Sequence, residues 1–100
     1  MMRNQVRRVE TLKGEGTATA RDGRSRSVSY SLTLYEHMVR TKTELPPNVM
    51  LRAGYREAFG RMSPACFFNE WGVTLTTADG QKFLIEQMDL LGLVNCRPQE

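Results

Sequence analysis

The feature that most constrains this chain is an unbroken alternation of apolar and hydroxyl side chains that leads into Tyr35. The apolar positions are Val28, Tyr30, Leu32 and Leu34, and serine or threonine stands between them. Successive side chains of a β-strand point to opposite faces, so this run has one apolar face and one hydroxyl face. The pattern predicts a half-buried antiparallel strand.

A hairpin is predicted directly before this strand, at Asp22-Gly23. The Asp-Gly pair favours a tight reversal, because both residues tolerate the positive φ that such turns require. A three-residue loop over 21–23 sets Gly16 opposite Val28, where a glycine leaves room for large neighbours. Arg24 and Arg26 share the parity of Val28. Since buried, unpaired arginines are costly, we expect both at the rim of the core.

A second hairpin is predicted at Asp79-Gly80. A two-residue loop would mix apolar and polar groups on both faces. A three-residue loop with a left-handed glycine instead sets Leu75 opposite Phe83 and Val73 opposite Ile85. The second register brings the apolar side chains together, so it is the one we predict.

The segment from 48 to 62 fits both a strand and an amphipathic helix. Gly54 and Gly60 weaken the helix, and the neighbouring segments are strands, so we predict a strand. A helix at about 48–62 would make the fold α+β. Pro46-Pro47 and Ser63-Pro64 mark breaks on either side, and residues 90–96 are predicted to form the closing strand.

These segments predict an all-β fold, a small antiparallel β-barrel or meander of five to six strands in one domain over residues 1–100. Its 40% hydrophobic and 25% charged residues are ordinary globular values. No apolar run approaches the roughly 18 residues of a membrane span, and the amino terminus lacks the apolar segment of a secretory signal. We therefore expect a cytoplasmic protein.

Catalytic chemistry finds little support in the sequence. His37 is the only histidine, no nucleophile motif accompanies it, and the close carboxylate pairs bracket turns or strand ends. Cys66 and Cys96 lie outside any C-x-x-C spacing, which favours two reduced, buried thiols over a disulfide or a metal site. We expect a non-catalytic protein without cofactor or metal, in which the methionines and Trp71 fill the core or an interface.

The basic residues carry the main functional prediction. The net charge is +3, and residues 1–26 alone carry +4 while residues 61–100 carry −2. Arginine suits anions because its planar fork donates two hydrogen bonds at once. We predict a module that binds an anionic partner, nucleic acid or an acidic protein, through an arginine-rich side or the barrel mouth formed by Arg3, Arg7, Arg8, Arg21, Arg24 and Arg26.

Other readings of the same residues remain open. The arginines would equally serve as a solvated edge that deters strand-to-strand aggregation. A structural or assembly subunit would self-associate into a homo-oligomer through a strand edge and the Phe67-Phe68 pair. A small-ligand-binding barrel would hold its ligand at the mouth, near Arg24 and Arg26, because barrels of few strands are filled by their own side chains.

The opening residues Arg3-Asn4-Gln5-Val6-Arg7 resemble the arginine-x-x-x-arginine motif of PilZ-type cyclic-dinucleotide receptors, which are also small barrels. The second motif of that family, Asp/Asn-x-Ser-x-x-Gly, is absent, and Asp22-Gly23-Arg24-Ser25 does not fit it. We therefore assign the chain to no family on this motif.

Overall fold

The computed structural model describes the backbone of residues 4–42 and 49–99 and the side chains of residues 6–37 and 54–99. Over these residues the fold is all-β and contains no helix, as predicted. The strands are β1 (Asn4–Thr19), β2 (Ser25–Lys42), β3 (Val49–Ser63), β4 (Thr74–Thr76), β5 (Lys82–Met88) and β6 (Leu93–Gln99). The segment that also fitted a helix is therefore a strand.

The six strands found in these residues close into an antiparallel barrel in the order β1-β2-β3-β6-β5-β4. The first three strands and the last three follow one another as neighbours, but β3 lies beside β6 rather than β4. The loop over 64–73 therefore crosses the barrel end and delivers β4 to the edge of β1, where Thr17–Thr19 pair with it. Closure comes from this crossing, so the fold is a barrel and not a simple meander.

Both predicted hairpin registers are confirmed. Gly16 lies opposite Val28, and the turn closes as Ala20 N donates to Arg24 O at 2.7 Å. In the second hairpin Leu75 lies opposite Phe83, and Gly80 has a φ of 90°, the left-handed conformation that a bulged turn needs. A three-residue loop gave the observed register in both cases, and in the second hairpin it was chosen because it placed the apolar groups on one face.

The strands differ greatly in length, and this gives the molecule its shape. β1, β2 and β3 contain 16, 18 and 15 residues, whereas β5 and β6 contain 7 each. β6 pairs with β3 only over Ala58–Arg61. Beyond the barrel, residues 4–9, 35–42 and 49–57 continue as a three-stranded sheet about 30 Å long, which we call the arm.

The overall dimensions reflect this arm. The molecule measures 52 × 23 × 23 Å, with a radius of gyration of 16.2 Å. A compact domain of 100 residues has a radius of gyration of about 13 Å. The barrel holds the core, and the arm projects from one end of it.

The barrel is filled by its own side chains, which come from all six strands. The largest fully buried side chains include Leu32, Met62, Leu75 and Phe83. Tyr30 is buried beside Gly14 and Gly16, and its hydroxyl accepts a hydrogen bond of 3.1 Å from the Ala78 backbone amide. This bond ties β2 to the β4–β5 turn, where the barrel gives way to the arm.

The end of the barrel opposite the arm, the closed end, is covered by the loop 64–73. Cys66 of this loop is buried in the core, and Met62 N donates to Gly92 O at 2.8 Å. Trp71 is 71% exposed, so of the two predicted places, the core or an interface, the core is wrong and the interface stays a prediction. Val73, the last residue of the loop, is the position whose side chain enters the core.

The closing strand begins later than the sequence predicted. Residues 90 and 91 form a turn, and β6 starts at Leu93 and continues through Gln99, past the predicted end at residue 96. Asp89 causes the shift, because its carboxylate accepts hydrogen bonds from the backbone amides of Leu91 and Leu93 at 2.9 and 3.0 Å. Side-chain bonds of this kind favour a turn over an extended strand.

Within the described ranges, no helix is long and apolar enough to cross a membrane. The expected proline break at 46–47 lies outside those ranges.

Gly60 provides a test of the tight contact between β2 and β3. A Cβ at this position would overlap the backbone carbonyl oxygen of Ser31, so Gly60→Ala must push the two strands apart. We expect a loss of about 3 kcal/mol in the free energy of unfolding, measured by urea denaturation. Gly23→Ala is the matched control: it has open space but a φ of 96°, and should cost only about 1 kcal/mol. Equal losses would contradict the close packing.

Candidate binding face of the sheet

Three of the predicted arginines lie at the closed end, around the β1–β2 turn. Arg24 pairs with Asp22 at 2.8 Å and also with Glu70, and the side-chain hydrogen bonds that Arg24 donates to Asp22 lower the pKa of the Asp22 carboxyl. The guanidinium of Arg21 lies 3.8 Å from the ring centre of Trp71. Arg26 is exposed, as expected at the rim. Two of the three are thus already engaged within the protein.

The other predicted arginines lie on the arm. Arg7 stands in a row across three strands with Glu36 and Arg56, and its Nη2 donates to Glu36 Oε2 at 2.6 Å. Arg56 lies 3.8 Å from the second oxygen of the same carboxylate. Arg8 is exposed on the opposite face of the arm. Arg3 lies outside the described residues.

The structure does not bring these two groups together. Eleven residue steps of β1 separate Arg8 from Thr19 at the edge of the turn, which is roughly 36 Å of extended strand. The expectation that the amino-terminal and turn arginines meet on one side therefore fails because β1 is a single long strand rather than two short ones. What these residues bind stays a prediction.

The outer face of the sheet carries four aromatic rings whose proximity was not predicted from the sequence. Tyr35 and Phe59 meet edge to face, with ring centres 6.0 Å apart and an interplanar angle of 62°. His37 and Tyr55 stack with centres 4.2 Å apart and an angle of 12°. These four residues form the aromatic stripe, which follows β2 and β3 from the barrel onto the arm.

The rings of the stripe differ in access. Tyr55 is 53% exposed and Phe59 is 42% exposed, so both present ring surface to solvent. His37 is half-buried rather than a surface residue, and its Nε2 lies 2.8 Å from Glu57 Oε1. The Glu57 carboxylate and the Tyr55 ring hold the imidazole in place, which fixes the geometry of the stripe at its arm end.

Basic side chains flank the stripe on the same face. Arg8 of β1 lies directly opposite Tyr35 of β2. Lys13 and Arg61 flank Ser31 from the two sides, in the hydroxyl row that the alternation predicted. All three basic side chains are exposed, and none forms an ion pair with another described residue. The face therefore combines aromatic surface with unneutralised positive charge.

Of the predicted site residues only Arg8 belongs to this face, and Lys13, Arg61 and the stripe were missed. Lys13 shares its parity with the other outward residues of β1, so the first hairpin register already contained that signal. Phe59, Tyr55 and Arg61 depended on the register between β2 and β3. The segment with Pro46-Pro47 between β2 and β3 carries no turn motif that fixes the loop length. The register of these two strands therefore could not be predicted from the sequence.

The two thiols are free and buried, as predicted. Burial raises the pKa of the Cys96 thiol from its ordinary value of 9.0 to about 12, and it also raises the pKa of Cys66. A thiol is nucleophilic only as the thiolate, so neither cysteine is poised for reaction. Among the described residues, no cluster of three or more metal-ligating side chains is found.

Comparisons of the chain with family models, with curated proteins and with solved structures find no match.

The Glu36 carboxylate makes a testable contribution to the arm. Its side chain is only 7% exposed and lies between two guanidinium groups. Glu36→Gln keeps the shape but removes the charge that holds Arg7 and Arg56, so we expect the free energy of unfolding to fall by about 1–3 kcal/mol. Glu86→Gln, at an exposed pair with Arg97, should cost less than about 1 kcal/mol. A smaller loss at Glu36 than at Glu86 would contradict this assignment.

Burial of the thiols predicts their response to a disulfide reagent and to pH. With a pKa of about 12, roughly one Cys96 thiol in 10,000 is ionised at pH 8, so the thiols of the folded protein should react slowly with the reagent. In the unfolded protein both thiols should react, one equivalent of reagent for each. The folded state holds the Cys96 proton more tightly than the unfolded state. Its contribution to stability is therefore complete below pH 9 and is lost as the pH rises from 9 towards 12. Rapid native labelling of both thiols would contradict this description.

Proposed function

We propose that this protein is a non-catalytic module that binds single-stranded nucleic acid on the outer face of the β1-β2-β3 sheet. The observation that carries the proposal is the juxtaposition of the aromatic stripe with Arg8, Lys13 and Arg61. Single-stranded nucleic acid is bound by aromatic rings on which bases stack, in a positively charged setting that follows the backbone. Both requirements are met on one face.

The stripe favours nucleic acid over an acidic protein as the anionic partner. An acidic protein would need the basic residues but would gain little from exposed rings. Tyr55 and Phe59 instead offer ring surface at two positions along β3, and Arg8 lies across from Tyr35 where a phosphate between stacked bases would pass. The rings thus give a specific reason to prefer a partner with planar, stackable groups.

The strand edges weigh against the simplest form of the assembly hypothesis. β1 carries a bulge between Arg8 and Glu10, and the β2–β3 pairing is irregular between Glu36 and Met38. Bulges and charged side chains are the usual means by which edges avoid pairing with other strands. Direct strand-to-strand addition at the β1 edge is therefore not the contact we propose.

The proposal is tested by fluorescence anisotropy with labelled single-stranded DNA and RNA of mixed sequence. Three phosphate contacts predict that the logarithm of the affinity falls with the logarithm of salt with a slope of about −2. Tyr55→Ala should weaken binding by roughly 5- to 150-fold, the equivalent of 1–3 kcal/mol per stacked base. Arg8→Ala should reduce the salt slope by about 0.7.

Matched controls separate this face from the rest of the surface. Trp71→Ala removes an exposed ring at the closed end, and Lys82→Ala removes a charge on β5, so neither should change the affinity by more than about twofold, an effect of about 0.4 kcal/mol. Polyglutamate serves as the competitor that tests the acidic-protein alternative. Absence of binding at low salt, or polyglutamate binding that equals oligonucleotide binding and ignores Tyr55→Ala, would overturn the proposal.

A further inference from the structure

A groove on the barrel wall lies beside the stripe and shares Phe59 with it. It has a volume of about 620 Å³, and its apolar lining includes Phe59, Phe68 and Leu93. Three carboxylates, those of Glu70, Glu86 and Asp89, also line it. The groove therefore combines apolar and acidic side chains.

The β5–β6 turn extends this surface towards solvent. Leu90 and Leu91 are 70% and 73% exposed, and they stand in sequence between the groove residues Asp89 and Leu93. Leucines exposed to this extent at the tip of a turn do not pack in the core, so they add little to the stability of the single folded chain. Together with the groove it forms a large apolar surface of the kind that marks a protein interface.

The three carboxylates of the groove differ in whether they have an ion-pair partner. Glu70 pairs with Arg24, and Glu86 pairs with Arg97 at 3.1 Å. Asp89 accepts hydrogen bonds from backbone amides and has no cationic partner among the described residues. One carboxylate beside the exposed leucines thus has no ion-pair partner among the described residues, and a partner with a positive charge next to apolar groups would fit it.

The arm carries the complementary feature. Val6 is 57% exposed and Val9 is 37% exposed on β1, and the unpaired Arg8 lies between them. We call Val6, Arg8 and Val9 the arm corner. It is apolar with one free positive charge, which matches the apolar groove and its one free negative charge. The charge balance of the whole chain follows the same direction, basic towards the amino terminus and acidic towards the carboxyl terminus.

Within one molecule Arg8 and Asp89 lie too far apart to pair. Arg8 is level with Glu57 of β3, whereas Leu93, which accepts a backbone hydrogen bond from Asp89, lies opposite Arg61. Four residue steps of β3, or roughly 13 Å, separate the two levels. We propose that the groove binds the arm corner of a second copy of this chain. Such a contact joins two different surfaces, so it builds a head-to-tail chain of subunits that stays open unless the rotation between copies closes a ring.

The experiment uses two variants that each damage one side of the contact. Val6→Glu with Val9→Glu gives the arm corner negative charge, and Leu93→Lys places a positive charge in the groove. Sedimentation velocity of the protein alone should show species larger than a dimer for the unmodified chain, growing with concentration and shrinking with added salt. Each variant alone should be monomeric, and an equimolar mixture should stop at a one-to-one dimer, because one intact groove meets one intact arm corner.

The controls keep the result interpretable. Ser29→Glu and Gln81→Lys add the same charges at exposed positions away from both surfaces, and both should assemble like the unmodified chain. Leu91→Lys, in the exposed turn, replaces Leu93→Lys if that variant loses its folded circular dichroism spectrum. No nucleic acid is present, so the outcome does not depend on the proposed function. A monomeric unmodified chain, a closed dimer that neither variant disrupts, or variants that remain monomeric when mixed would each overturn the proposal.

Discussion

The ring of Tyr30 lies over Gly14 and Gly16, and the closure of the barrel depends on this contact. A Cβ on Gly14 would stand 3.1 Å from the Tyr30 hydroxyl oxygen, and one on Gly16 would overlap the carbonyl oxygen of Thr76. The two glycines therefore allow β1 to pass close to both the ring and β4. The hydroxyl then accepts its hydrogen bond from Ala78, so a single side chain from β2 fixes β1 and the β4–β5 turn together. Beyond that point the sheet has no second layer and continues as the arm.

Local patterns in the sequence were sufficient for the buried face of β2 and for the two Asp-Gly turns. The alternation from Val28 onward predicted the buried face of β2. A three-residue loop at each Asp-Gly turn predicted both hairpin registers, and at the second turn the matching of apolar residues decided the loop length. The burial of the two cysteines was also predicted, since free cysteines are among the residues most often buried. In each case the deciding interaction joins residues close in sequence, so a local argument could reach it.

The parts that the sequence did not predict depend on contacts between distant residues. The pairing of β1 with β4 and of β3 with β6 has no turn signal that fixes it, and these pairings decide where the barrel ends. The arginines were expected to converge because β1 was not expected to run for 16 residues. The aromatic stripe was missed for a related reason, because Tyr35 meets Phe59 only through the long-range register of β2 and β3.

The unequal lengths of the strands also bear on how the chain folds. The long hairpins between β1, β2 and β3 join segments that follow one another, whereas closure of the barrel brings Thr19 to Thr74, more than 50 residues apart in sequence. Loop-closure entropy must be overcome before such distant pairs gain their contacts, which makes them slow to form. We therefore expect the sheet of β1, β2 and β3 to form first. The last third of the chain would then pair with the part of that sheet that belongs to the barrel.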